Sequence, residues 1–295
     1  MMTTIIPAAG GAERQDMAAQ TMAEPQFALE ISGLEACANR DERLLVNALS
    51  LSLAKGERLA IVGESGSGKT MTASAVMGLL PAGVHQTAGT VRIFGEDTAA
   101  WSAEQYRRTR NERVSIVMQN PFSAFDPVLT ILSHFEETFI SHGRPKREAR
   151  QNALAALGEI GFSEPQTILN LYPFQMSGGM LQRALLALAL IFRPPLIIAD
   201  EATTDLDLKS QKNILSLLKN YCEETNAALL LITHDFGVAA SLAQRMMLMK
   251  DGKVVETGDA KSFFDNPKSE YAKTLLAAHR ALYSERFNEL VGVVA

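Results

Sequence analysis

Gly63-Glu64-Ser65-Gly66-Ser67-Gly68-Lys69-Thr70 fills every fixed position of the phosphate-loop (P-loop) pattern G-x-x-x-x-G-K-[ST]. The apolar run before it, Leu59-Ala60-Ile61-Val62, reads as a buried parallel strand. Behind it, Thr70 to Leu80 reads as a helix that Pro81 stops. Phosphate binding needs this order of strand, glycine-rich turn and helix. Gly66 and Gly68 permit the backbone curl that aims N–H groups at phosphate oxygens, beside the positive end of the helix. Lys69 is then placed to reach the β- and γ-phosphates, and the Thr70 hydroxyl to ligate Mg²⁺. Gly63, Glu64, Ser65, Gly66, Ser67, Gly68, Lys69 and Thr70 are all assigned to a nucleoside triphosphate. A chance Lys-Thr after a glycine turn would not bring the flanking strand and helix with it.

The flanks set the fold class. Phe27 to Leu53 alternates in short apolar runs around a polar turn at Asn39 to Glu42, which predicts antiparallel strands leading into the P-loop strand. Gly89 to Gly95 predicts a further short strand, and Val114 to Met118 a buried one with a turn at Asn120-Pro121. From roughly Leu129 to Leu171 the spacing turns helical, with breaks at Gly143-Arg144-Pro145 and Gly161. This predicts a helical subdomain, about 129–190 with the apolar helix Ala184 to Phe192, inserted into the core. The core resumes at Leu196 to Ala199, passes through a helix from Lys209 to about Glu224, and adds the strand Leu229 to Thr233. Asp251-Gly252 between apolar runs signals a hairpin. The expected fold is α/β: a P-loop NTPase core with a mainly parallel sheet, an antiparallel β part and the helical insert.

Residues 1–26 lack periodicity, a basic flank and a long apolar core, so they read as a disordered tail rather than a secretory signal. The α/β domain is expected over 27–283, with a short tail over 284–295. Hydrophobic residues make up 47% and charged ones 21% of the 295, a globular composition. A formal net charge of −5 counts against nucleic acid as a partner. No apolar run approaches the roughly 20 residues that span a bilayer. Two cysteines, Cys37 and Cys222, offer neither a disulfide framework nor a metal cluster.

Leu196-Ile197-Ile198-Ala199-Asp200-Glu201 is a buried strand ending in two carboxylates. Asp200 suits a role in holding Mg²⁺, and Glu201 one in orienting and polarising the attacking water. Met176-Ser177-Gly178-Gly179-Met180 opens an apolar helix some twenty residues earlier. Exposed N–H groups and the helix dipole make Ser177, Gly178 and Gly179 a second anion site without a lysine. An ordinary N-cap is the plainer reading of that tripeptide alone.

Together these stretches resemble the ATPase subunits of ABC transporters, over nearly everything from Phe27 to about Tyr283. The family's Leu-Ser-Gly-Gly-Gln signature stands here as Met-Ser-Gly-Gly-Met, followed by Gln182-Arg183. Gln119 matches the family's Q-loop glutamine, Thr204-Asp205-Leu206-Asp207 the D-loop, and His234 the switch histidine. The resemblance implies ATP and Mg²⁺ as cofactors, with Thr70, Gln119 and Asp200 at the metal. It implies Glu201, His234 and Gln119 as the catalytic set. It also implies a head-to-tail pairing with a second ATPase subunit, a related chain, in which Ser177, Gly178 and Gly179 act in trans.

Asn120-Pro121-Phe122-Ser123-Ala124-Phe125-Asp126-Pro127, Asn266-Pro267-Lys268 and Tyr271 to Leu276 are similar to the oligopeptide, dipeptide and nickel importer group. That likeness implies a peripheral subunit on the cytoplasmic face of the inner membrane. It would bind membrane permease subunits, with Phe122 and Phe125 exposed as the docking surface, and be served indirectly by a periplasmic or extracellular solute-binding protein. Nickel or a nickel–metallophore is the expected cargo; di- or oligopeptides are the alternative. A soluble non-transport ABC ATPase fits less well, because the chain has one P-loop and no long heptad run.

Two departures stand out. The usual Asp-Glu-Pro is Asp200-Glu201-Ala202, which loses a proline but no catalytic atom. The family's adenine-stacking aromatic is not evident over Leu34 to Ala38, so the phosphates are expected to carry most of the binding.

Overall fold

The computed structural model describes residues 26–39, 42–204 and 206–291. Asp205 and nearly all of the expected N-terminal tail lie outside these. The strands are β1 (Phe27–Ala38), β2 (Leu44–Ala54), β3 (Arg58–Val62), β4 (Val84–Ile93), β5 (Glu96–Asp97), β6 (Val114–Val117), β7 (Leu196–Asp200), β8 (Ala228–Thr233), β9 (Arg245–Lys250) and β10 (Lys253–Asp259). The helices are α1 (Lys69–Val76), α2 (Ala103–Thr109), α3 (Ile131–Ser141), α4 (Lys146–Glu159), α5 (Pro165–Leu169), α6 (Gly178–Leu190), α7 (Leu208–Thr225), α8 (Phe236–Leu242), α9 (Ala260–Asp265) and α10 (Glu270–Val291).

Six strands form the central sheet in the order β10-β9-β3-β8-β7-β6. All its pairings are parallel except β9 with β10. Every residue of β7 and β8 is buried, as their unbroken apolar runs require of a sheet covered on both faces. Alternate residues serve opposite cores. Leu59, Ile61, Leu196, Ile198, Leu230 and Ile232 pack towards β1, β2, β4 and α1. Ala60, Val62, Ile197, Ala199, Leu229 and Leu231 pack towards the helices from α3 onward. Each fully buried Leu or Ile contributes about 1.5–3 kcal/mol, and both faces of these strands make that contribution. The second sheet, β2-β1-β4-β5, is antiparallel.

Parallel pairing in register brings the ends of four strands to one edge. Val62 pairs with Thr233, Ile232 with Asp200, and Ala199 with Val117. The residues just past the strand ends therefore meet there: Gly63 after β3, His234 after β8, Glu201 after β7 and Gln119 two residues beyond β6.

Several sequence expectations need correction. The helix after the P-loop ends at Val76, not Leu80. Gly78 takes φ 61°, Gly78 N donates to Ala75 O at 3.1 Å and Leu79 N to Ser74 O at 2.8 Å, so a Schellman cap stops the helix before Pro81 acts. The strand expected over Gly89 to Gly95 begins earlier, at Val84, and Gly89 lies inside it at φ 84°. A Cβ at Gly89 would sit 2.4 Å from Gly33 O, so the two antiparallel strands touch through backbone there. The apolar helix that Met176 to Met180 open starts at Gly178 behind the Ser177 cap, as expected, but stops at Leu190 instead of Phe192. At the other end, the backbone of α10 stays helical through Tyr283 to Val291. Asp251 (φ 48°) and Gly252 (φ 78°) make the tight β9–β10 turn that their dipeptide predicts.

Phe125 is the largest correction. Expected on the surface, it is only 4% exposed and packs edge-on to His134 with ring centroids 4.9 Å apart. His134 holds that loop from beneath, since its Nε2 accepts from Asp126 N at 2.8 Å. Phe122, three residues earlier, is 52% exposed. The Asn120 side chain caps a short 3₁₀ turn at Phe122 N, and that turn separates the two rings.

Candidate functional site

Between β3 and α1 the loop closes tightly on its neighbours. Gly63 adopts φ 156° and Gly68 φ 101°. A Cβ at Gly63 would sit 2.3 Å from Met249 O, and one at Gly68 2.4 Å from Leu45 O. Both positions exclude side chains because backbone from β9 and β2 presses on them. The Lys69 side chain is buried and folds over the loop. Its Nζ donates to Gly63 O at 2.9 Å and Glu64 O at 2.8 Å, and lies 3.5 Å from Ser67 Oγ. Burial lowers its pKa, although the Glu201, Asp200 and Glu64 carboxylates pull the other way.

The first residue of the acidic pair is bonded to the loop. Thr70 Oγ1 donates to Asp200 Oδ1 at 3.2 Å. Burial pushes the Asp200 carboxyl up to about 6 against that hydrogen bond, with the Glu201 charge adding to the rise and Lys69 opposing it. Glu201 turns into the left-handed region at φ 49°, a conformation that costs a non-glycine residue about 1–3 kcal/mol. It is held there by Glu201 N donating to Ile232 O at 2.8 Å and Thr204 N donating to Glu201 O at 3.0 Å. The turn aims the carboxylate at His234, whose Nδ1 donates to Glu201 Oε2 at 2.8 Å. That bond, first among the causes, holds Glu201 below the usual carboxylate range and His234 above the usual imidazole value.

Two adjoining cavities open over these groups. One, of 420 Å³, is lined by Gly63, Glu64, Ser65, Gln119, Glu201, Thr204, His234 and Leu275. The other, of 280 Å³, is lined by Ser65, Gly66, Gly68, Lys69, Thr70, Met71, Gln119, Glu201, Arg43 and Leu45. Ser65, Gln119 and Glu201 belong to both, so the two form one cleft. The structure thus gathers the P-loop, Gln119, Glu201 and His234 around a single space, with Asp200 joined to it through Thr70. Ser177, Gly178 and Gly179 are not among the residues there. They line a separate 610 Å³ cavity with Arg183, Asp207, Lys209 and Ser210. Ser177 caps α6, its Oγ accepting from Met180 N at 3.3 Å.

Sequence reasoning missed four cleft residues, of which Met71 simply follows the P-loop. Arg43 and Leu45 carry no motif and come to the P-loop only because β2 lies across it. Leu275 sits on α10, far along the chain from the P-loop, so only the fold brings it in. The strain at Glu201 was legible in principle, since the residue after a buried strand must turn sharply to bring its side chain back over the sheet edge.

Comparison with known proteins agrees with this geometry. The ABC transporter family model matches residues 46–204. The chain is 42% identical over 262 residues to the nickel import ATP-binding protein NikD of Brucella abortus, spanning 88% of this chain and 98% of the relative. This chain belongs to the ABC transporter ATPases. The NikD of Rhodospirillum rubrum is 42% identical over 240 residues, covering 81% of this chain and 90% of that one. The oligopeptide transport ATP-binding protein AppD of Bacillus subtilis is 38% identical over 253 residues, covering 84% and 77% respectively. Among solved structures, the ATP-binding cassette MJ0796, dimeric and bound to ADP and Pi after hydrolysis, superposes with a TM-score of 0.70 at 28% identity. It is matched over 79% of this chain and 98% of its own. The chain is an ATP-binding ATP hydrolase of the transporter type. Among the described residues, no helix is long and apolar enough to cross a membrane.

Proposed function

We propose that this chain is the ATP-hydrolysing subunit of a bacterial importer for nickel or a nickel–metallophore, seated peripherally on the cytoplasmic side of its membrane partners. Support for nickel is the 42% identity to a nickel-import subunit across 98% of that subunit's length. The 38% identity to AppD keeps di- or oligopeptides as the second reading.

For hydrolysis, the supporting observation is the convergence of Lys69, Thr70, Glu201 and His234 on one cleft, with Asp200 bonded to Thr70 at its edge. The loop N–H groups and Lys69 bind the β- and γ-phosphates, Lys69 exchanging its neutral carbonyl partners for charged phosphate oxygens. Thr70 and Asp200, with their oxygens 3.2 Å apart, and Gln119 on the same cleft are hard donors of the kind Mg²⁺ takes. When bound, Mg²⁺ supplies charge neutralisation at the β- and γ-oxygens. Glu201, ionised and fixed by His234, accepts a proton from the attacking water, and His234 faces the γ-phosphate. Ser177, Gly178 and Gly179, on a cavity of their own, serve the nucleotide of a second ATPase subunit. Phe122 belongs to the surface that meets the permease subunits.

The test is uptake. Cells lacking this chain should lose high-affinity uptake of radioactive nickel and regain it from the intact gene. Unchanged nickel uptake with lost dipeptide uptake would replace the first cargo by the second.

A further inference from the structure

The C-terminal helix α10 presents one face to the cleft that the nucleotide reading leaves unused. Tyr271, Leu275 and His279 stand at i, i+4 and i+8, along one side of the helix. Each meets a different part of the site. Burial and the nearby Glu64 carboxylate of the P-loop push the Tyr271 phenol up to about 12. Leu275 lines the same cavity as Glu201 and His234. His279 lies with Nε2 3.3 Å from Asp235 Oδ1, and its side chain is only 9% exposed. Its ring stands edge-on to Phe236 with centroids 5.5 Å apart.

Asp235 directly follows His234. The Oδ1 that faces His279 also accepts from Gly237 N at 2.7 Å and Val238 N at 3.1 Å, so it caps α8. Asp235 N in turn donates to Thr233 Oγ1 at 3.0 Å. One carboxylate oxygen is thus held by two amides and approached by an imidazole as well. A seven-residue helix has little intrinsic stability, so its cap decides how firmly its first turn is held. The His234 side chain, by contrast, is 52% exposed. Its direction depends on the backbone turn beneath it.

We propose that His279 is a positioning residue for hydrolysis, fixing through Asp235 the turn from which His234 reaches Glu201. His279 then contributes to the reacting geometry without touching nucleotide. This inference rests on the hydrolytic reading of the cleft and adds a residue to it. A histidine used only as core filling would leave the chemical step untouched when exchanged for a residue that preserves the fold.

The experiment compares ATP turnover by the transport assembly purified through this chain, as wild type, His279→Ala, His279→Gln and Glu201→Gln. A glutamine amide can place an N–H where Nε2 stands. His279→Ala is expected to lose about tenfold or more in kcat, as small misplacements at a reacting centre do, with KM changed by less than about twofold. His279→Gln should recover most of the loss. An unchanged kcat in His279→Ala overturns the inference. So does a loss that His279→Gln fails to recover and that tracks a fall in Tm, because the role is then structural. Glu201→Gln separates the two levels. Should it turn over like wild type, the reading of the cleft fails; should it be slow while His279→Ala is normal, the inference about His279 alone fails.

Discussion

Glu201 Oε2 lies 2.8 Å from His234 Nδ1 and 3.0 Å from Thr204 Oγ1, so two donors converge on one carboxylate oxygen. The other oxygen keeps its capacity for water. Glu201→Gln retains an acceptor for both donors and removes only the charge and the basicity. We expect ATP affinity within about threefold of wild type and hydrolysis slower by about 10²–10⁴, the range of a lost general base. Calorimetric titration and phosphate release measure the two halves. Turnover at the wild-type rate would remove Glu201 from the reaction.

The same pair sets a pH dependence. His234 is raised above 6.5 in the fold, so its contribution to stability is complete below about 6.5 and is lost as pH rises through the folded value. Glu201 is lowered below 4.5, so its contribution is complete above about 4.5 and is lost as pH falls through the folded value. Both are complete only in between. The stability gap between wild type and His234→Ala should therefore be largest near pH 5.5 and shrink by pH 9 in urea melts. A gap that widens at pH 9 would mean the pair is not ionised as described.

Asp200 has the opposite sign. Its carboxyl titrates at about 6 instead of 3.8, so the fold disfavours the ionised form. Stability is lost as pH rises from about 4 to 6, and the full penalty persists above 6. Asp200→Asn keeps an acceptor for Thr70 and escapes the penalty. In chelator at pH 7.5 it should be more stable than wild type by about 1–3 kcal/mol, while losing Mg²⁺-dependent hydrolysis. A less stable Asp200→Asn would show that this buried charge is welcome in the fold.

Phe122 and Phe125 should separate cleanly. Phe125 is buried against His134, so Phe125→Ser is expected to cost about 3 kcal/mol or more, as large-to-small changes in a core do. Phe122→Ser removes an exposed ring and should change stability by less than about 0.5 kcal/mol. Its effect should appear instead as slower uptake at normal ATP binding. Normal uptake by Phe122→Ser would take the permease surface elsewhere.

The division between these two phenylalanines shows where sequence reading stops. The sheet was legible because unbroken apolar runs such as Leu229 to Thr233 allow little else, and their register then forces the motifs after them to one edge. The cleft inherited that legibility: Lys69, Thr70, Asp200, Glu201, Gln119 and His234 each lie at or just past a strand end or begin a helix. Loop side chains carry no such period. Nothing in Asn120 to Pro127 distinguishes the ring that turns in from the ring that turns out, and only the contact with His134 decides it. Contributions from afar were equally silent, because Arg43, Leu45, Leu275 and His279 reach the site by packing rather than by spacing.

Arg43 brings a guanidinium plane to the cleft. The antiparallel hairpin offers no aromatic ring at Leu34 to Ala38, yet Arg43 and Leu45 line the cleft beside Gly66, Gly68 and Thr70. A guanidinium plane can stack on a base face, and Leu45 supplies apolar surface next to it. A guanidinium over a ring face is worth about 0.5–2 kcal/mol. It reads the flat face of a purine and not its edge groups, so it does not separate adenine from guanine. ATP and GTP should therefore bind within about tenfold of each other, roughly 1.4 kcal/mol. Arg43→Ala should weaken both to the same degree and weaken tripolyphosphate much less, whereas Lys69→Ala should weaken all three. Arg43→Trp, which keeps a plane and drops the charge, should restore the nucleotides. Competition titrations with the three ligands decide the matter. If ATP outcompetes GTP by far more than tenfold in the unaltered chain, an edge of the adenine is being read by a group other than Arg43.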